Sequence, residues 1–239
     1  MSATRVASIV HKWLALVLLV PVLFWFVSGL FFAVAPIETV RSEHRIAKQP
    51  PAPVAVETAA LGLARISGQV RAAEKIEVRM LLGRPVAAVV AGKGRPKLFD
   101  LGSGRPISPI DPATAAAIAE RDLSGDEKSR RVERVTKNSP EYRGPLPAWR
   151  VDFAGANRSV YVAADTGLVT SRRSTLWRVF DFMWALHILD FEEHEDINNS
   201  LLIGTSALGL VIVVTGIILF PSRLGYNAWR RRRRRRREA

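Results

Sequence analysis

The sequence predicts a membrane protein with two transmembrane α-helices flanking an exported α+β domain, itself made of two similar units of one helix plus antiparallel strands. Three observations carry that reading. Residues 13–35 (WLALVLLVPVLFWFVSGLFFAVA) contain no charge, and at ~1.5 Å per helical residue they reach ~34 Å, enough for a hydrocarbon core of ~30 Å. Residues 201–220 (LLIGTSALGLVIVVTGIILF) form a second uncharged stretch of spanning length. Eight consecutive arginines, residues 230–237, follow the second stretch and not the first.

The charges set the order of the segments. Residues 1–12 carry Arg5 and Lys12, and residues 222–239 carry Arg223 and the arginine run. Lysine and arginine resist translocation, so both tails are expected in the cytoplasm of a bacterial inner-membrane protein, with the middle of the chain exported. Of the net charge of +13, the first tail holds +2, the second +8 and everything between them only +3. The basic pI therefore reports topology. No nucleic-acid partner is expected; the arginines suit anionic lipid headgroups. Ala33-Val34-Ala35 matches a signal-peptidase site, but the apolar run is long and Pro36 would follow the cut, so residues 13–35 read as a retained anchor. The chain has no cysteine, so the exported part is expected to fold without disulfides.

Residues 36–56 are a proline-rich linker around KQPPAPV. Residues 57–110 open with a helical pattern (ETAALGLARIS), followed by strands at 75–82, 85–91 and 97–101, the last closing in Gly102-Ser103-Gly104. Residues 111–173 repeat the plan. Asp111-Pro112 is an N-cap followed by proline at the first helical position. Strands are expected at 131–136, 148–153 and 159–163, and Asp165-Thr166-Gly167 closes the unit. Either unit alone is too small for a generous core, so the two are expected to pack together. Residues 174–197 interleave Trp177, Phe180, Phe182, Trp184 and Phe191, which suits an amphipathic helix at the exported membrane face. Residues 198–221 form the second span.

These residues carry a family resemblance. PAWRVDFAGANRSVYVAADTG (147–167), with Tyr142-Arg143-Gly144 before it, closely resembles a PepSY domain. His11-Lys12-Trp13-Leu14, with Ser28-Gly29 further on, resembles the first helix of PepSY-associated transmembrane proteins, and Thr215-Gly216 resembles the close of a later helix in that family. Larger members have four membrane helices, and some are similar to ferric-siderophore reductases that hold haem between them. The chain resembles half of such a module. The resemblance implies haem b, electron transfer towards an exported acceptor such as ferric iron, and a homo-oligomer or a membrane redox partner that completes the site. It implies equally a non-enzymatic alternative, in which the exported module binds or regulates another exported protein, such as a peptidase.

With no cysteine, the four histidines are the residues best suited to metal or haem iron. The resemblance marks His11, before Trp-Leu, as an axial ligand; its alternative is an interfacial anchor together with Lys12 and Trp13. Gly29, on the same helical stripe, would admit a partner backbone or a flat porphyrin. His187 is a second candidate axial ligand, with Asp190 one turn later as a possible orienting acceptor. His187, Asp190 and His194 are also a weak metal-site alternative, and the acids of EEHED (192–196) suit the positive N-terminus of the second span. Thr205, Gly209 and Gly216 form a small-residue stripe suited to helix packing. The glycine-bearing turns sit between strands, no serine has histidine and acid partners at triad spacing, and no catalytic residue is identified.

Overall fold

The computed structural model describes residues 3–48, 52–155 and 157–223; the arginine run expected in the second tail lies outside the described residues. The chain runs α1 (Ala3–Val17), α2 (Leu19–Val34), a short α3 (Ile37–Val40) and a 3-10 turn (Glu43–Arg45), then α4 (Val56–Ile66), β1 (Lys75–Leu81), β2 (Arg84–Val90) and β3 (Lys97–Asp100). After α5 (Pro112–Asp122) come β4 (Ser129–Val135), β5 (Ala148–Phe153), β6 (Arg158–Ala163) and β7 (Val169–Arg173). Helices α6 (Thr175–Ile188) and α7 (Ser200–Arg223) follow. Two compact units result: residues 1–34 with 181–239, and residues 35–180.

The helical unit contains one helix long and apolar enough to cross a membrane by itself, Ser200–Pro221 within α7, with a mean hydropathy of 2.5. The first apolar stretch is not one straight helix. It breaks at Leu18 into α1 and α2, which meet at 62° and reach spanning length only as a pair. The cause lies three residues further on. Pro21 has no N–H to offer the carbonyl of Val17, and its ring crowds that carbonyl, so the helix opens one turn before the proline. The neighbouring bonds survive, from Leu18 N to Leu14 O at 2.9 Å and from Val22 N to Leu18 O at 3.0 Å. Helix α1 packs along α7.

The second unit is α+β. Its first half is α4 with the antiparallel sheet β1-β2-β3, and its second half is α5 with the antiparallel sheet β4-β5-β6-β7. Strand alternation sends the residues of β2 and β3 to two separate cores. Ala87, Val89 and Phe99 pack with Ile66 of α4. Val86 and Leu98, with Leu81, point the other way and join Ala115, Ile118 and Ala119 of α5 and Val151, Val160 and Val162 of the second sheet. The two halves thus share one core, and the first sheet is covered on both faces. A third cluster is built around Tyr142 and Tyr161, whose rings stack at 4.5 Å. Helix α5 starts as its sequence dictates: Asp111 accepts from Thr114 N at 2.8 Å, with Pro112 following the cap. The fourth strand, β7, has only a single bridge, Phe99 to Pro106, as its counterpart in the first half.

Candidate functional site

The histidines of the helical unit are held by hydroxyl groups. Helix α1 begins at Ala3, which places His11 in its third turn with its ring against α7. His11 Nδ1 lies 3.0 Å from Thr215 Oγ1 and 3.2 Å from the carbonyl oxygen of Ile212. Gly216 makes room for the ring, since a Cβ there would lie 3.4 Å from His11 Cε1. Thr215 is six residues before Pro221, the end of the apolar segment, and at the helical rise that is ~9 Å inward. The imidazole therefore sits inside the apolar length of α7 and not at its end, where an anchoring cluster with Lys12 and Trp13 would place it.

The proton on this ring is fixed by its partners. Thr215 donates its own hydroxyl proton back along α7, to Val211 O and Ile212 O, both at 2.9 Å. A backbone carbonyl can only accept. The carbonyl of Ile212 calls for an N–H at Nδ1, and in a neutral ring of that tautomer Nε2 carries the lone pair. Among the described residues Nε2 of His11 has no hydrogen-bond partner.

His187 repeats the arrangement with a serine. Its Nδ1 lies 2.9 Å from Ser28 Oγ, while Ser28, fully buried, donates to Phe24 O at 2.6 Å. With the hydroxyl proton on Phe24 O, the Ser28 oxygen is left to accept, which suits a neutral His187 ring in the Nδ1–H tautomer. Trp25 Nε1 donates to His187 O at 2.8 Å and fixes the last turn of α6 against α2. Phe32 meets the imidazole edge-on at 5.5 Å and Trp184 stacks beside it at 6.5 Å. A Cβ on Gly29, next to Ser28, would meet nothing within 4 Å.

Asp190 does not orient His187. Helix α6 ends at Ile188, and Leu189 is left-handed with φ +54°, so the helical spacing that would bring Asp190 under His187 is lost. Its carboxylate instead accepts from four backbone amides: Glu192 and Glu193 at 3.2 Å, Glu195 and Asp196 at 2.9 Å. Burial pushes the Asp190 pKa up, but the four amides outweigh it and bring it down to about 2. His194 pairs elsewhere as well, its Nδ1 2.6 Å from Asp181 Oδ2. His187, Asp190 and His194 thus serve three separate tasks, and among the described residues no three His, Cys, Asp or Glu side chains are grouped to hold a metal ion. Asn199 caps α7, accepting from Leu202 N at 2.8 Å, and its Nδ2 donates to Ile188 O at 2.9 Å, which ties the end of α6 to the start of α7.

Of the small-residue stripe, a Cβ added at Gly209 would lie 3.9 Å from the Trp25 ring and one at Gly216 would lie 3.4 Å from the His11 ring, while Thr205 is buried and bonds back to Leu201 O at 2.7 Å. The functional partners that sequence reasoning missed are Ser28, Thr215, Trp25 and Asp181. A hydroxyl in the middle of an apolar span was the available signal for the first two, because it has to find a polar neighbour there.

Comparison with known families adds one finding. A family model described as the PepSY-associated TM region matches residues 8–239. Searches of curated proteins and of solved structures find no match.

Proposed function

The chain belongs to the family of the PepSY-associated TM region, and from that membership we propose an integral inner-membrane PepSY protein that binds b-type haem and carries electrons across the membrane. Helix α7 forms one span and the bent α1–α2 pair the other. Both termini are cytoplasmic and the α+β unit, taken as two PepSY-like repeats, is exported, as the basic tails require. Electrons pass from a cytoplasmic or quinol donor to an exported acceptor, with ferric iron, free or siderophore-bound, as the substrate class.

One observation carries the proposal. Both imidazoles of the helical unit set Nδ1 against a hydroxyl that also lies within hydrogen-bond distance of a backbone carbonyl, an arrangement that suits the Nδ1–H tautomer. That is the form in which histidine offers Nε2 to iron, with the Nδ1 hydrogen bond setting ring orientation and basicity. His11 and His187 would each hold a haem, and the open space at Gly29 leaves room beside α2 for a flat ring. Haem iron between two imidazoles supplies a one-electron carrier cycling between Fe(III) and Fe(II). The chain's own residues supply the rest. Thr215 and Ser28 hold the Nδ1 protons, and Phe32, Trp184 and Trp25 exclude water around His187. His11 and His187 bond to different helices and are ligands of separate sites, each completed by a second copy of the chain or a membrane redox partner.

The test is an absorption spectrum of the detergent-purified full chain, produced with ample haem, before and after dithionite. Sharp α and β bands on reduction, lost in His11→Ala or His187→Ala, are expected. A protein that stays colourless after added haem overturns the haem reading and leaves the exported unit as the functional part.

A further inference from the structure

The α+β unit contains a groove of about 510 Å³ between the end of β1, the C-terminal half of α5 and the start of β7. Met80, Leu82, Ile118, Leu168 and Val169 make its walls largely apolar. Three charged side chains also line it: Arg79, Arg121 and Asp122. Arg79 lines the groove, and its guanidinium has no carboxylate partner among the described residues. Its Nη2 donates to Thr166 O. Its Nε is buried with no acceptor, and no bond is formed by Nη1.

The neighbouring acids are committed elsewhere. Both oxygens of Asp122 accept from Arg172. Glu77 pairs with Lys75 at 3.2 Å and is about half exposed. Burial lowers the Arg79 pKa, against the opposing pull of Glu77. Arg79 is half-buried, and its Nη1, neither bonded nor among the buried atoms, is the N–H group open to an anion in the groove.

The groove also borders an open sheet edge. Among the described strands β1 pairs only with β2, so its other edge presents unpaired backbone N–H and C=O groups. The chain already uses this region for extended backbone, with Ala47 N donating to Asp122 O at 2.8 Å and Ile46 bridging to Leu123.

We propose that this groove captures the C-terminus of an extended peptide, with Arg79 binding its terminal carboxylate and the apolar walls taking its last side chain. The carboxylate accepts from Nη1, the guanidinium nitrogen that is neither bonded nor among the buried atoms, and planar guanidinium donors suit a carboxylate. The β1 edge supplies main-chain pairing along the preceding residues, as in recognition by strand addition. The partner is an exported protein or fragment ending in a free apolar residue. This inference does not depend on haem, because no histidine takes part.

The test uses the full chain in detergent and a pool of fluorescein-labelled hexapeptides ending in Leu, Val or Phe, each as free acid and as C-terminal amide, read by polarisation. The free acids are expected to bind at least tenfold more tightly than the amides. Arg79→Gln, similar in length and uncharged, is expected to bind both equally weakly with an unchanged circular dichroism spectrum, and Arg79→Lys to recover part of the preference. Equal binding of acid and amide by the wild-type chain, no binding at all, or a preference that survives Arg79→Gln overturns the proposal. Dodecanoate that binds at Arg79 where the peptides do not also overturns it, and reassigns the groove to an apolar small acid.

Discussion

Replacing Pro21 by alanine tests the account of the bent first span. Alanine restores an N–H for Val17 O and removes the ring clash, together worth about 3 kcal/mol in a helix interior. The geometry gives the size of the effect. Thr4–Val17 and Leu19–Val34 are ~21 and ~24 Å long at the helical rise. Meeting at 62°, they span about 39 Å end to end, against about 45 Å if straight. Spin labels near Ala7 and Val34, in a pair of variants with and without Pro21→Ala, would report that difference of about 6 Å by pulsed electron resonance. Straightening would also pull His11 out of line with Thr215, so the Pro21→Ala protein is expected to lose any spectral feature that depends on His11. An unchanged distance would refute the proline as the cause and assign the bend to packing against α7.

Three further predictions follow from individual contacts. Asp190→Asn weakens four amide contacts, an expected loss of about 1–2 kcal/mol, read as faster hydrogen exchange at residues 192–196. Because the Asp190 pKa falls to about 2 on folding, its contribution is complete above the ordinary aspartate value of about 4 and is lost as pH falls through about 2; the Asn variant should lack that acid limb in its unfolding temperature. Gly62→Ala would bring a Cβ to 2.5 Å from the buried Leu101 Cβ, and overpacking of about 1–3 kcal/mol outweighs the helix-propensity gain of up to about 1, so its unfolding temperature should fall; an unchanged value would contradict the packing. Ser28→Ala removes the partner of His187 Nδ1, so nitrogen NMR of labelled histidine should show mixed tautomers at His187, and a single retained Nδ1–H tautomer would count against the hydroxyl as its determinant.

The α+β unit was legible because its signals are local. Asp111-Pro112 announced α5, alternation in residues 75–82 and 148–153 announced strands, and the small size of each half required a shared core. The helical unit was legible only in outline. Absence of charge located residues 13–35 and 201–220, but whether Pro21 bends a span or breaks it depends on what packs beside it. Spacing misled at Asp190, because i to i+3 has meaning only while a helix continues, and α6 stops at Ile188. The pairing of Asp181 with His194 crosses a loop whose path is set by Asp190 and Asn199, and no periodicity encodes such a path. Arg79 was invisible for the converse reason: on a strand an arginine reads as solvent-facing until the second half of the domain covers it.

His11 carries the strongest argument about how the protein works. A histidine serving only as an interfacial anchor would place its ring nitrogens among headgroups and water. Here Nδ1 bonds to Thr215 and Ile212, ~9 Å inward of Pro221 along α7. A packing histidine at that depth would be expected to use both nitrogens, since an unmet polar group in hydrocarbon costs several kcal/mol. Among the described residues Nε2 has no hydrogen-bond partner, and the contacts to Thr215 and Ile212 are both made by Nδ1. A group that donates to Nε2 or coordinates through it would remove that cost. If, as proposed, a second protomer brings an equivalent ring and iron is shared between the two, both positions would be met at once. His11→Ala should then weaken self-association as well as abolish colour, and a variant that loses colour yet stays equally associated would separate the two.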